Sequence, residues 1–301
     1  TVNPNPTVNI VANQTVCNTA NTTAVTFTGS SVSGTTYSWT NNTTSIGLAA
    51  SGAGNIAAFT ATNAGTIPVT ATITVTPTAN GCAGVAQTFT ITVNPPPTAN
   101  AVANQTVCNG GSTTSVSFGG PVEGSTSNWT NSNTSIGLNA SGTGDIAAFT
   151  AVNTTNAPVA ATITVTPVTN GCTGTPATFT YTVNPTPVAN AVSNQTLCNG
   201  ATTTAVTFGS SVAGTTYSWT NTAASIGLAT SGTGNIPAFT ATNTGTAPVV
   251  ATIAVTPTAN GCAGAATTFT YTVNPTPVVN AVANQTVCNG ATTTAVAFGG
   301  A

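Results

Sequence analysis

Lysine, arginine, histidine and methionine are absent from this 301-residue sequence, and only two acids, Glu123 and Asp145, occur in it. Charged residues make up 1% of the chain, where an ordinary soluble domain has about 25%. These absences remove whole classes of function. With no Lys or Arg to neutralise phosphates, nucleic acid is excluded as a partner. Serine and threonine hydroxyls are plentiful, but no His or Lys exists to serve as the base that makes one a nucleophile. The two acids fall in only one copy of a repeated unit, so an acid–base pair is not part of the design. The chain is expected to be no enzyme and to carry no cofactor. Its uninterrupted apolar runs are a handful of residues long, so no segment is expected to insert into a membrane. Trypsin-like proteases find no site to cut, which suits exposed extracellular material.

What is present is a tandem array. Trp39, Trp129 and Trp219 lie 90 residues apart, as do Cys82, Cys172 and Cys262. Cys17, Cys108, Cys198 and Cys288 are spaced by 91, 90 and 90, the extra residue lying in the "FTGSSV" of the first copy. A period this long suits an independent β-sandwich rather than a short solenoid unit. The predicted domains are residues 1–94, 95–184 and 185–274, with 275–301 opening a fourth copy. The sequence reads as a window on a longer array; the rival reading donates the closing segment to a neighbouring chain by strand addition.

Within each copy the hydrophobic period is two. In "PVTATITVTP" (Pro68–Pro77) Val69, Ala71, Ile73 and Val75 alternate with threonines, and "TFTITV" and "TAVTF" (Val25, Phe27) do the same. Such alternation marks strands with one face on a core and one in water. Thr and Val are β-branched and favour extended backbone. "SGAGN", "TANGCAG" and "NPPP" are turn signals, and no helical period appears. The linkers begin at Asn3, Asn94–Pro95, Asn184–Pro185 and Asn274–Pro275. Their prolines hold the backbone near polyproline II as semi-rigid spacers, so the array reads as a stalk.

Each full copy has two cysteines, too few for a four-ligand zinc site. The economical expectation is a disulfide inside each copy, Cys17–Cys82, Cys108–Cys172 and Cys198–Cys262, with the partner of Cys288 outside the chain. Disulfides imply an oxidising, extracellular setting. Trp39, Trp129 and Trp219 sit mid-strand and are expected to be core anchors; as exposed platforms they would instead suit a carbohydrate-binding module.

The order "TVCNG…AVTF…TTYSWTN…APVTATITVTPTANGC…TFTYTVNP" resembles the PKD-like, immunoglobulin-fold repeats of large secreted surface proteins in Bacteroidetes bacteria. The resemblance runs over all 301 residues. It implies tandem immunoglobulin-like antiparallel β-sandwiches, export, and service as spacer or adhesive modules. The acidic Gly–Asp–Gly turn of PKD domains is missing here, where the chain reads "NNTTSIG" or "NTAASIG".

The remaining signals are weaker. Glu123 corresponds to Ser33 and Ala213, and Asp145 to Asn55 and Asn235, so neither acid belongs to a repeated calcium site. Eleven asparagines, among them Asn13, Asn41, Asn104, Asn153 and Asn194, stand two residues before Ser or Thr, leaving glycans open. Strand edges carry no lysine to guard them, so self-association into fibres is expected. The threonine rows raise an ice- or surface-binding array as a lesser alternative. The reading as a whole is a structural or adhesive segment at the cell surface.

Overall fold

The computed structural model describes residues 2–300. Among the described residues helix is confined to three single 3-10 turns, Thr44–Ile46, Thr134–Ile136 and Ala224–Ile226, and the remaining regular structure is strand. The first repeat holds β1 (Gln14–Cys17), β2 (Thr36–Asn41), β3 (Ser51–Ala53), β4 (Val69–Ala79), β5 (Cys82–Ala83) and β6 (Gln87–Asn94). The second holds β7 (Gln105–Cys108), β8 (Thr126–Asn131), β9 (Ser141–Thr143), β10 (Val159–Thr169), β11 (Cys172–Thr173) and β12 (Ala177–Asn184). The third holds β13 (Gln195–Cys198), β14 (Thr216–Asn221), β15 (Ser231–Thr233), β16 (Val249–Ala259), β17 (Cys262–Ala263) and β18 (Thr267–Asn274). The chain is all-β and immunoglobulin-like, with each repeat built on one sheet of order β1-β6-β4-β2-β3, β5 pairing β4, or its equivalent. Two compact units result: Thr1–Gln105 with Ser112–Thr150 and Ala160–Tyr181, and Thr106–Gly111 with Ala151–Val159 and Thr182–Ala301.

Alternation becomes a core because register aligns the apolar positions. Across β2, β4 and β6, Trp39 faces Val75, Asn41 faces Ile73, Ile73 faces Phe89 and Ala71 faces Ile91. The opposite face is a threonine ladder, in which Thr70, Thr72 and Thr74 stand against Thr92, Thr90 and Thr88. Trp39, Trp129 and Trp219 are 8%, 7% and 6% exposed. Each lies over a glycine of the neighbouring strand, Gly52, Gly142 or Gly232, where a Cβ would overlap the indole.

Two features differ from a regular antiparallel sandwich. β1 runs parallel to β6, with Cys17 level with Asn94. The "TAVTF" segment, expected as a strand, is extended and meets its partner in isolated bridges, Asn21↔Thr60 and Val25↔Ile56, rather than in a continuous ladder. Side chains take the place of the ladder. Thr23 N donates to Gln14 Oε1 (2.9 Å), Phe27 N to Asn55 Oδ1 (3.0 Å) and Phe59 N to Thr22 Oγ1 (3.1 Å). Backbone groups satisfied in this way do not need a strand partner.

Repeats two and three place Tyr181 and Tyr271 where the first has Ile91. Both phenols are buried, and their hydroxyls have no hydrogen-bond partner among the described residues. Burial holds both above the ordinary tyrosine pKa. Tyr271→Phe is therefore expected to stabilise the third repeat by about 1 kcal/mol, read as a higher urea midpoint. The parent should lose further stability as pH rises from the unfolded value near 10 towards the higher folded one, because the unfolded phenol ionises first. The variant should lose less over that range.

Candidate functional site: the junction between repeats

Strand direction gives every repeat two ends. β6 finishes at Asn94 beside the end of β1, so Cys17 and Asn94 share the tail, where the chain leaves. β4 runs antiparallel to β6 and finishes at the opposite end, the head, in the two-residue turn Asn80–Gly81 that leads to Cys82. Asn80 and Gly81 take φ of 51° and 78°, and their equivalents Asn170–Gly171 and Asn260–Gly261 repeat this closely. Positive φ at both central residues is the hairpin geometry that Asn-Gly favours.

This placement overturns the expected cysteine pairing. From the level of Val69, beside the tail, to Ala79 at the head, β4 spans roughly 33 Å at about 3.3 Å per residue, whereas a disulfide needs Cα atoms about 5.5–6 Å apart. Cys17 cannot reach Cys82, Cys108 cannot reach Cys172, and Cys198 cannot reach Cys262. Instead Cys17 is bonded to Cys172 and Cys108 to Cys262, each pair with Cα atoms 5.6 Å apart. The tail cysteine of one repeat joins the head cysteine of the next. Among the described residues Cys82, Cys198 and Cys288 are unpaired.

The same partners recur around each bond. Asn94 Nδ2 donates to Asn170 O at 3.2 Å, and Asn184 Nδ2 to Asn260 O at 2.9 Å. The carbonyls of these two asparagines accept from Asn18 N (2.9 Å) and Asn109 N (2.8 Å). The linkers are built into the joint. Pro95, Pro97, Pro185 and Pro187 are buried, and the carbonyls of Pro97 and Pro187 press on Gly174 and Gly264, where a Cβ would overlap them. Pro275 is half-buried and Asn274 likewise. Nothing in the joint is charged, so its chemistry is that of a covalent lock held by neutral hydrogen bonds.

Asparagines also carry structure that composition hides. Asn243 Nδ2 donates to Val273 O (2.7 Å) and Ala247 O (2.9 Å), while its Oδ1 accepts from Gly245 N (3.0 Å). Asn63 and Asn153 do the same. Asn13, Asn104 and Asn194 accept from Thr90, Thr180 and Thr270 N at 2.8 Å. Asn41 and Asn153, both in glycosylation sequons, are 7% and 4% exposed and internally bonded, so a glycan there would require the fold to open. Asp145 accepts from Phe118 N (2.9 Å) and Ser117 Oγ (2.8 Å), bonds that hold its carboxyl below the ordinary value. Asn55 and Asn235 accept from Phe27 N and Phe208 N in the same way, so the acid is a substituted asparagine. No group of three His, Cys, Asp or Glu gathers among the described residues.

Residues 14–97 match the family profile of the PKD-like domain. No curated protein sequence matches the chain. Among solved structures, titin domains I67–I69, in an E-to-A mutated variant, align over 90% of this chain and 98% of theirs, with a TM-score of 0.53 at 9% identity. Protocadherin gammaB7 EC3-6 aligns over 93% of this chain and 77% of its own, at TM-score 0.39 and 12% identity. Mouse cadherin-23 EC22-24 aligns over 89% and 96%, at TM-score 0.37 and 11% identity. The titin likeness is one of fold: immunoglobulin-like domains in tandem.

Proposed function

We propose that the chain is a structural or adhesive spacer of an exported surface protein, a stalk whose joints are locked covalently. The observation that carries this reading is the course of the two disulfides, each of which ties consecutive repeats together instead of stapling one. A bond across a joint does little for the repeat's own core but restricts bending and separation at the joint. Disulfides persist in oxidising compartments, and a surface without Lys or Arg withstands trypsin-like proteases. The resemblance to secreted bacterial surface repeats agrees with both. The buried indoles of Trp39, Trp129 and Trp219 offer no stacking platform, which disfavours the carbohydrate-binding alternative.

Small-angle scattering of the oxidised chain tests the stalk. Three repeats end to end, each about 40 Å long, give a rod with a radius of gyration of about 35 Å, whereas a compact globule of this length has about 19 Å. A value near the lower figure would sink the proposal.

A further inference from the structure

Five Asn–Gly pairs lie in the three repeats, and the fold places them in two settings. Asn109–Gly110 and Asn199–Gly200 follow the tail cysteines Cys108 and Cys198, and both halves of each pair are held. Gly110 N donates to Ala151 O at 2.8 Å and Gly200 N to Ala241 O at 2.7 Å. Asn109 Oδ1 accepts from Asn153 N and Asn199 Oδ1 from Asn243 N, both at 2.9 Å. The other three pairs, Asn80–Gly81, Asn170–Gly171 and Asn260–Gly261, are the head turns, and all six residues are exposed. The main-chain carbonyls of Asn170 and Asn260 are engaged by Asn94 and Asn184. Among the described residues, neither the three amide side chains nor the N–H groups of Gly81, Gly171 and Gly261 have a hydrogen-bond partner.

We propose that Asn80, Asn170 and Asn260 are sites of spontaneous covalent modification, converting to aspartate and isoaspartate through a cyclic imide, while the fold holds Asn109 and Asn199 unreactive. The glycine N gives up its proton and attacks Cγ of the preceding asparagine. The Cγ–Nδ2 bond breaks, and ammonia leaves with that proton. Water then adds across one of the two imide C–N bonds. Opening at Cγ leaves aspartate; opening at the main-chain carbonyl leaves isoaspartate, with the chain rerouted through Cβ. Nothing is oxidised or reduced, and water is the one co-reactant. Glycine puts no side chain beside the attacking nitrogen. At Gly110 and Gly200 the N–H is bound to a carbonyl, and the amide that must swing over it is tied at Oδ1. Both bonds have to open first, which slows attack on the order of thirtyfold. At the head turns the product alters the junction. Each conversion brings one negative charge to an uncharged joint, in a chain of net charge −2. Isoaspartate formed from Asn170 makes the oxygen that Asn94 Nδ2 holds at 3.2 Å part of a carboxylate, a stronger acceptor. It also adds a methylene to the turn ahead of Cys172. The disulfide is untouched, so the array ages at its joints without coming apart. The inference needs the turns alone and stands apart from the stalk reading.

The test incubates the oxidised, folded chain in mildly alkaline water enriched in heavy oxygen, beside a reduced chain in denaturant. Both are digested with pepsin, whose acid medium stops imide formation, and uptake of the label is read by mass spectrometry at each asparagine. In the folded chain Asn80, Asn170 and Asn260 should take up label at least about tenfold faster than Asn109 and Asn199. In denaturant all five should convert alike, because the protecting bonds to Ala151, Ala241, Asn153 and Asn243 are gone. Equal rates in the folded chain, or faster conversion at Asn109 and Asn199, would overturn the proposal. The same contrast persisting in denaturant would overturn it too, since neighbouring sequence and not the fold would then set the rates.

Discussion

A chain cut once in the linker at Pro96 is expected to stay a single 29.1 kDa species in denaturant and to fall into a one-repeat and a two-repeat fragment only on reduction. The bond from Cys17 to Cys172 spans that cut. A cut at Thr186 should behave alike through Cys108–Cys262. Since buried residues flank both positions, Pro95 and Pro97 at the first and Pro185 and Pro187 at the second, a protease site must be inserted there or the cut made in the unfolded, oxidised chain. Disulfides confined within repeats would release the fragments without reductant, so a non-reducing gel decides. Tension makes the same point quantitatively. The two closed loops overlap, so a fully drawn chain follows Thr1–Cys17, crosses to Cys172, runs backward to Cys108, crosses to Cys262 and continues to Ala301. That path holds about 120 residues, or about 430 Å at about 3.5 Å each, against about 1,050 Å after reduction. Load crosses each junction through sulfur, and the linkers at Asn94–Pro95 and Asn184–Pro185 are bypassed.

The sheet was legible in the sequence because alternation has only one geometric meaning once a core face exists. Val69 to Ala79 carries that pattern without a break, and a slip of one residue would expose every apolar side chain on it. The cysteine pairing was not legible from spacing, which counts residues and not ends. A signal was nonetheless present. Cys82 follows Asn-Gly directly, and Cys17 precedes "NTAN", so both stand beside turns and off the alternating core positions that a cystine buried between sheets would occupy. Residues beside turns lie at the ends of strands, and β4 is long enough to hold two such ends far apart. Dihedral preference alone makes the proline linkers spacers. Their burial depends on Gly174 and Gly264 in the following repeat, which no local pattern reveals. The asparagines are the least legible. In a chain this rich in Asn and Thr, sequons are frequent by composition, and their recurrence masks the few positions where an amide serves as a buried hub.

Asn243→Ala is expected to destabilise the third repeat by about 3 kcal/mol, since it strips partners from two carbonyls and one N–H in a site 4% exposed. A repeat of this size is worth on the order of 5–13 kcal/mol in total, so the loss should lower its melting temperature by roughly 15 °C. Hydrogen exchange resolved to β16 and β18 would separate this from the first repeat, whose protection should not change. The amide is required for its donors as much as for its acceptor. Asn243→Asp keeps the oxygen that receives Gly245 N but turns a second oxygen on Val273 O and Ala247 O. Ionised, that group repels both carbonyls; protonated, it can donate to one of them. Its folded pKa is therefore raised above the ordinary aspartate value, and the variant should be most stable below about pH 4 and weaken as pH climbs through the folded value. The parent has no acid in this repeat and should show no such slope. An aspartate variant as stable as the parent at neutral pH would mean that the two carbonyls are satisfied by solvent, and the asparagine hub would lose its claim to hold the tail of the repeat closed.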